Sequence, residues 1–358
     1  MSRLKVAVLF GGRSAEHEIS VLSARWVLAS LDRTRFDPVP IAIDKEGRWR
    51  IADEAALLAQ PDDPRRIGLS EVGAPVSVGQ GAGLLADGER APIDVVFPAL
   101  HGPTGEDGAV QGLLELAGLP YVGAGVAGSA VGLDKDLMKR LLVQAQIPVV
   151  PWVTLRAASW AADRDGALAR CAALGPVAFA KPANLGSSVG VGRASGREAL
   201  AQAIDEAFRY DRKVVVERGL VGARELECGM LGNDEPIASA VGEVRVAHPD
   251  GFYSYDAKYL DDGAEICIPA DLSAEQVARV RRLAVAAFRA LEGAGLARVD
   301  LFLGAEGQLV VNEVNTMPGF TPSSMFPRLW AASGLPAADL VTRLVELALQ
   351  RAAERVPR

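Results

Sequence analysis

The sequence predicts a mixed fold that opens as an α/β unit with a parallel sheet and continues as α+β structure. Three observations carry this. Val6-Ala-Val-Leu-Phe10 is an unbroken apolar run closed by Gly11-Gly12, the pattern of a strand buried on both faces. Ile19, Leu22, Trp26 and Val27 then recur at helical spacing, and a second strand follows at Val39–Ile43, so the chain begins β-loop-α-β. The last third alternates short strands with a helix over Ala274–Leu291 and closes on another helix over Ala337–Arg351.

The length of 358 residues suggests two or three domains on a prior of about 100–200 residues each. Apolar residues make up 49 % of the chain, enough for a sizeable core and too many for a disordered one. A net charge of −7 argues against a nucleic-acid surface, which would be basic, so phosphate-bearing ligands must be met by local clusters of Lys and Arg. Cys171, Cys228 and Cys267 are odd in number and widely spaced, neither a disulfide framework nor a zinc site, and read as buried thiols. The apolar run after Met1–Lys5 is too short for a signal-peptide core, and no segment approaches the ~20 apolar residues of a membrane helix. The expectation is a soluble, cytoplasmic protein with no nucleic-acid or membrane partner.

Further strands are expected at Asp94–Leu100, Val177–Lys181 and Lys213–Glu217, with a hairpin over 297–303 and 308–314. Helices are expected at Glu198–Phe208 and at Asp134–Gln146, the latter with Leu137, Leu141 and Leu142 inward and stopped by Pro148 and Pro151. Pro61–Arg90, rich in Gly, Pro and Asp, reads as irregular with at most short strands. A boundary is expected near Gly123–Gly128, where small residues concentrate.

Two motifs carry chemistry. In Lys181-Pro-Ala-Asn-Leu-Gly-Ser-Ser-Val-Gly190, glycines and serines free backbone N–H groups and hydroxyls to surround phosphate oxygens, and Lys181 supplies charge. It is not a Walker A loop, because no Gly-Lys-Ser/Thr follows, and taken alone it also fits a plain Gly-rich hairpin. The second is Asp300, Glu313 and Asn315, with Arg298 beside them. If the two final strands pair, three oxygen ligands meet on one face, the kind of set Mg²⁺ uses beside phosphates. These acids interrupt apolar strands, where an unpaired charge would be costly.

Together with Val214-Val-Val-Glu217, these motifs resemble the ATP-grasp fold. Five more blocks narrow the resemblance to the D-alanine–D-alanine ligase family: Gly11-Gly-Arg-Ser-Ala-Glu-His-Glu-Ile-Ser20, His101-Gly-Pro-Thr-Gly-Glu-Asp-Gly108, Leu119-Pro-Tyr-Val-Gly-Ala-Gly125, Tyr255-Asp-Ala-Lys-Tyr259 and Asn315-Thr-Met-Pro-Gly-Phe-Thr321. They run in the family's order over nearly the whole chain. The resemblance implies a three-domain ATP-grasp architecture: residues 1–124 as the N-terminal α/β domain, 125–217 with the phosphate loop, and 218–358 with the metal site and a mobile lid at about 249–269.

It also implies an activity, the ATP-dependent joining of two D-alanines through an acyl phosphate for peptidoglycan precursors and the cell wall. Lys135, Lys181 and Lys258 match phosphate-contacting lysines, with Ser187 and Ser188 in the loop. Asp300, Glu313 and Asn315 match the ligands of two Mg²⁺ (or Mn²⁺), with a monovalent cation such as K⁺ as an optional activator. Glu217, Arg218 and Leu220 match the adenine edge and Glu225 the ribose. Glu16 and His101 match the first D-alanine's site. Arg298 and Gly319 match the oxyanion stabilisers, and Ser324 and Met325 match the positions that hold the second D-alanine's carboxylate. Glu16, Ser187 and Tyr259 match a hydrogen-bonded set that closes the lid, and a homodimer is implied.

Departures are few. Ala183-Asn184-Leu185 falls where relatives vary, Met325 stands where some carry Leu, and 61–90 matches no assigned part. A dinucleotide-dependent oxidoreductase is disfavoured, since Gly11-Gly12-Arg13-Ser14-Ala15-Glu16 lacks the Gly-x-Gly-x-x-Gly spacing. A non-catalytic binding module would lack metal ligands or lysines, which are present. The alternative within the enzyme class is D-alanine–D-lactate or another ATP-grasp amino-acid ligase.

Overall fold

The computed structural model describes residues 3–68, 73–246 and 264–354. Seven strands make the first sheet: β1 (Leu4–Gly11), β2 (Phe36–Ile43), β3 (Trp49–Ile51), β4 (Pro75–Gly79), β5 (Gly83–Ala86), β6 (Glu89–Arg90) and β7 (Val95–Pro98). Their order is β6-β5-β4-β3-β2-β1-β7. β1 is parallel to β2 and β7, and helix α1 (His17–Ser30) makes the crossover that parallel neighbours require. That crossover sets the β1–α1 loop, with Glu16, at the carboxyl end of a central strand, where open α/β sheets bind ligands. Residues 75–90 extend the sheet with β4, β5 and β6, all antiparallel, so the sheet is parallel only at β2-β1-β7. A short helix, α2 (Glu54–Leu58), precedes them.

Helices α3 (Ala109–Ala117), α4 (Val126–Leu133) and α5 (Lys135–Gln144) follow. Asp134 caps α5, accepting from the backbone N–H groups of Asp136 and Leu137 at 3.1 Å each. Of the three leucines expected to face inward, only Leu142 does; Leu137 and Leu141 are 41 % and 39 % exposed. The inward face carries Met138, Lys139 and Leu142 instead. Apolar spacing misplaces the face because it assigns Lys139 to solvent, whereas this lysine is buried against a carboxylate.

The second sheet comprises β8 (Trp152–Arg156), β9 (Val177–Pro182), β10 (Gly192–Ser195) and β11 (Lys213–Arg218), antiparallel in the order β10-β9-β11-β8. Helices α6 (Ala157–Ala162), α7 (Arg164–Ala172) and α8 (Arg197–Ala207) accompany it, and Leu155, Leu168, Ala180, Ile204 and Val216 share one core. The third sheet has β12 (Arg224–Gly232), β13 (Ile237–Val246), β14 (Ala264–Cys267), β15 (Gly295–Leu303) and β16 (Leu309–Asn315), antiparallel in the order β14-β13-β12-β15-β16. Helix α9 (Ala274–Ala290) opens on a capping box between Ser273 and Gln276. It buries Val280, Ala284 and Phe288 over this sheet together with Met138 and Leu142 of α5.

Helices α10 (Met325–Ala332) and α11 (Ala337–Ala353) return to the first sheet, where Leu340, Val341, Leu344 and Val345 share a core with Val6, Val8 and Phe97. Phe320 packs edge-on against Phe97 and Phe326, with ring centroids 5.6 and 5.5 Å apart. This packing fixes the loop 316–324 beside the β1–α1 loop. Among the described residues no helix is long and apolar enough to cross a membrane.

Candidate active site

A cleft opens between the second and third sheets. Lys135, Lys181, Ser187, Ser188, Glu217, Arg218, Leu220, Glu225, Asp300 and Glu313 all line it, with Val177, Phe179, Leu301 and Phe302 as apolar walls. One rim is the loop that leaves β9 after Lys181 and returns as β10. Ser187 and Ser188 there have positive φ, 50° and 58°, a left-handed pair that costs non-glycine residues of order 1 kcal/mol each. Such strain persists only where surrounding contacts over-determine it, and Ser187 has such a contact in Glu16.

Two lysines converge on one carboxylate. Lys181 Nζ lies 2.8 Å from Glu217 and 3.3 Å from Asn312 Oδ1. Lys139 Nζ lies 3.1 Å from the other oxygen of Glu217. Burial of Glu217 opposes its charge, but Lys139 and Lys181 outweigh burial and pull the carboxyl down to about 2. Lys181 is pushed down by burial and pulled up more strongly by Glu217, ending above its ordinary value. Lys139 ends below its own, because burial outweighs Glu217 there and Lys181 adds repulsion. Lys135 Nζ donates to the Leu185 carbonyl at 2.7 Å and stands 3.7 Å from Glu313.

The metal-ligand candidates sit in register. Asp300 on β15 faces Glu313 on β16 and Glu227 on β12, while Arg298 faces Asn315. Arg298 grips Asp300 with both fork nitrogens at 2.7 and 2.6 Å and also pairs with Glu227 at 2.8 Å. Burial disfavours the guanidinium, yet Asp300 and Glu227 raise it well above its ordinary value. Asn315 Oδ1 accepts the Met317 N–H at 3.0 Å. Two carboxylates and an amide oxygen, with no sulfur or imidazole, suit a hard divalent cation. Among the described residues no three His, Cys, Asp or Glu side chains could hold a metal alone, so a cation here would complete its shell with phosphate oxygens and water.

On the substrate side, Glu16 is buried and accepts a hydrogen bond from the Ser187 hydroxyl. A Cβ at Gly102, where φ is +72°, would come within 3.0 Å of Glu16 Oε2, so glycine is required beside this carboxylate. His101 is buried, with Nδ1 3.2 Å from the Met317 carbonyl and 3.5 Å from Glu106, and Nε2 2.8 Å from Ser23 Oγ. Burial pushes His101 down, but the hydrogen bond and charge of Glu106, reinforced by Glu16, raise it above its usual range. Burial raises Glu106 as well, with Glu16 adding to it. Ser324 Oγ accepts the Thr321 N–H at 3.0 Å, and a Cβ at Gly319 would approach it to 2.8 Å. Met325 is buried with Val244 and Leu329.

Arg298, Asn315, Glu16, His101, Gly319, Ser324 and Met325 thus stand beside the cleft, joined to it through Asp300, Ser187 and the loop 316–324. Lys258, Tyr259 and most of the lid segment lie outside the described residues.

Residues 5–124 match the family described as D-ala D-ala ligase N-terminus and 141–346 that described as D-ala D-ala ligase C-terminus. The chain is 47 % identical to D-alanine–D-alanine ligase A of Chromobacterium violaceum, over 98 % of this chain and 96 % of that one. It is 46 % identical to D-alanine–D-alanine ligase A of Escherichia coli (strain K12), over 98 % and 97 %. The chain belongs to the D-alanine–D-alanine ligase family. Its fold matches the solved D-alanine-D-alanine ligase of Coxiella burnetii with a TM-score of 0.87 and 38 % identity, covering 99 % and 96 %. It also matches the VanG D-Ala:D-Ser ligase of Enterococcus faecalis at 0.86 and 35 %, covering 97 % and 100 %.

Sequence reasoning passed over three groups of this ligase: Lys139 behind Glu217, Glu227 behind Arg298, and Glu106 behind His101. Glu217 and Arg298 meet Lys139 and Glu227 from different elements, so those two pairs have no readable spacing, whereas Glu106 shares one loop with His101 and also accepts the Gly102 N–H at 3.0 Å. Lys139 carried a usable signal, a lysine one turn after Lys135 on the otherwise inward face of α5.

Proposed function

We propose that the chain joins two D-alanine molecules into D-alanyl-D-alanine at the expense of ATP, releasing ADP and phosphate, in the cytoplasm, for peptidoglycan precursors. The γ-phosphoryl passes to a carboxylate oxygen of the first D-alanine and ADP leaves. The amine of the second D-alanine attacks the acyl carbon, the C–N bond forms, the C–O bond to phosphate breaks, and the amine proton is released.

The chain's residues divide this work. Lys135 and Lys181 neutralise triphosphate oxygens, while Ser187 and Ser188 present hydroxyls in the loop between β9 and β10. Glu217, with the backbone at Arg218 and Leu220, takes the adenine edge, and Glu225 the ribose. Glu16 receives the ammonium of the first D-alanine, with His101 beside it. Arg298 and the N–H of Gly319 are aimed at the oxyanion of the tetrahedral intermediate. Ser324 and Met325 face the second D-alanine, and Lys258 and Tyr259 belong to the lid. Asp300, Glu313 and Asn315 would hold two Mg²⁺ (or Mn²⁺), which supply charge neutralisation along the phosphates when bound. K⁺ activation and a homodimer complete the reading, with residues 1–124, 125–217 and 218–358 as its three domains.

The observation that supports this most directly is the hydrogen bond from Ser187 to Glu16, because it brings an ammonium acceptor to the loop that would carry the transferred phosphoryl group. Purified protein with ATP, Mg²⁺ and D-alanine should release one phosphate per dipeptide formed. Absence of phosphate release would overturn the reading. Parallel reactions with D-lactate or D-serine as acceptor separate it from the depsipeptide and D-Ala:D-Ser alternatives.

A further inference from the structure

Among the described residues, Lys139 is the most deeply buried cation of the cleft region. Its residue is 0 % exposed, it lies outside the cleft lining, and its Nζ faces a single carboxylate oxygen of Glu217 at 3.1 Å. Glu217 does line the cleft, and its second oxygen is held by Lys181, also a lining residue. Among the described residues, Lys139 Nζ and Glu217 Oε1 have no polar partner besides each other.

The fold invests in holding this pair together. Asp134, which caps α5, also pairs with the buried Lys213 at the start of β11. The backbone N–H of Lys135 donates to the Ala183 carbonyl at 2.9 Å. Helix α5 is therefore braced against β11 and the phosphate loop, and Lys139 is carried to a fixed point behind Glu217.

A triphosphate entering the cleft competes with Glu217 for Lys181. A buried carboxylate that loses its counter-charge takes up a proton. Once protonated it offers an O–H donor where an ionised carboxylate offers only acceptors. Adenine presents an amino donor at its N6 edge, whereas guanine presents an oxygen acceptor at the same position. A group reading adenine must stay an acceptor throughout.

We propose that Lys139 is a positioning residue for nucleotide selection: walled off from the cleft, its ammonium keeps Glu217 an aimed acceptor when Lys181 turns to the triphosphate. The inference rests on the reading of Glu217 as the adenine contact. Lys139 touches no substrate and acts through Glu217 alone. The low value of Glu217, about 2, belongs to the doubly paired state, and loss of one lysine moves it upward.

The test uses the full chain with Lys139→Met, Glu217→Met and the double substitution. Steady-state kinetics are measured with ATP and with purine riboside triphosphate, which lacks the amino group, from about pH 6 to 9. In Lys139→Met, KM for ATP should rise about tenfold, the size of one charge-assisted hydrogen bond, with kcat changed little. The rise should grow as the pH falls, and the preference for ATP over the analogue should shrink. In the Glu217→Met background, Lys139→Met should add nothing to KM.

A flat pH profile with the ATP preference kept in Lys139→Met would overturn the proposal, as would an equal loss in both backgrounds. Should Lys139→Met fail to fold while the double variant folds, the coupling through Glu217 stands, since an apolar pair can replace a buried ion pair. Should neither fold while Glu217→Met does, Lys139 is structural and the proposal falls. If Glu217→Met itself keeps the ATP preference, the adenine assignment of Glu217 fails, whatever Lys139 does.

Discussion

The hydroxyl of Ser187 donates a hydrogen bond to the carboxylate of Glu16, tying the loop after β1 to the phosphate loop 171 positions along the chain. A hydrogen bond to a charged acceptor is worth about 1.5–3 kcal/mol, and this one also holds Ser187 in its left-handed conformation. Ser187→Ala should therefore lower kcat/KM for D-alanine by about tenfold or more. Glu16→Gln should cost more than that, because it also removes the charge proposed to face the first substrate's ammonium. Steady-state dipeptide synthesis measures both, and equal losses in the two variants would contradict the separate roles.

How legible this site was depends on whether its partners share an element. Asp300 and Glu313 could be paired from sequence because two apolar strands a short turn apart must form a hairpin, and their register brings the acids opposite one another. Lys181 was legible as the residue opening a Gly/Ser loop. Lys139 was hidden because a charge on a helix is counted as solvent-facing, and only Glu217, from a strand far along the chain, makes its burial tolerable. The same misassignment put Leu137 and Leu141 inward, where the structure exposes them. In the first sheet the parallel centre was legible from continuous apolar runs. The short strands β4, β5 and β6 were not, because two to five residues are too few to establish a period.

The thiols should report on the core. Burial pushes Cys171 up to about 11 and Cys228 up to about 12, so neither presents a thiolate near neutral pH. Cys267 is half-buried and reachable by reagent. Titration of the native protein with a chromogenic disulfide at about pH 8 should label Cys267 alone, with Cys171 and Cys228 reacting only after unfolding. Rapid native labelling of Cys228 would contradict the packing described for the third sheet.

Helix α11 stabilises a sheet built from the other end of the chain. Leu344 is fully buried in the core that contains Val6 and Phe97. Leu344→Ala should destabilise the protein by about 2–5 kcal/mol through lost burial and a residual cavity. The loss should be seen first in the N-terminal unit, as early hydrogen exchange of β1 and β7, while the amides of β11 and β15 open later. Uniform exchange throughout would mean that the first sheet does not depend locally on α11.

Arg298 has two acidic partners with different jobs. Asp300 takes both nitrogens of the fork and is also a metal-ligand candidate, whereas Glu227 holds Nε at 2.8 Å from β12. If Asp300 turns to a divalent cation, Glu227 remains to aim the guanidinium. A lysine cannot reproduce this fork, so Arg298→Lys should lower kcat by about a hundredfold with a smaller change in KM for ATP. Glu227→Gln keeps the size and one acceptor but loses the charge. Its kcat should fall by about tenfold, less than in Arg298→Lys, because aim is weakened and the cation itself remains. Kinetics of the two variants and of their combination decide the matter: if Arg298 is the group that acts and Glu227 only aims it, the double variant should be no slower than Arg298→Lys alone. Multiplying losses would assign Glu227 a task of its own in the reaction.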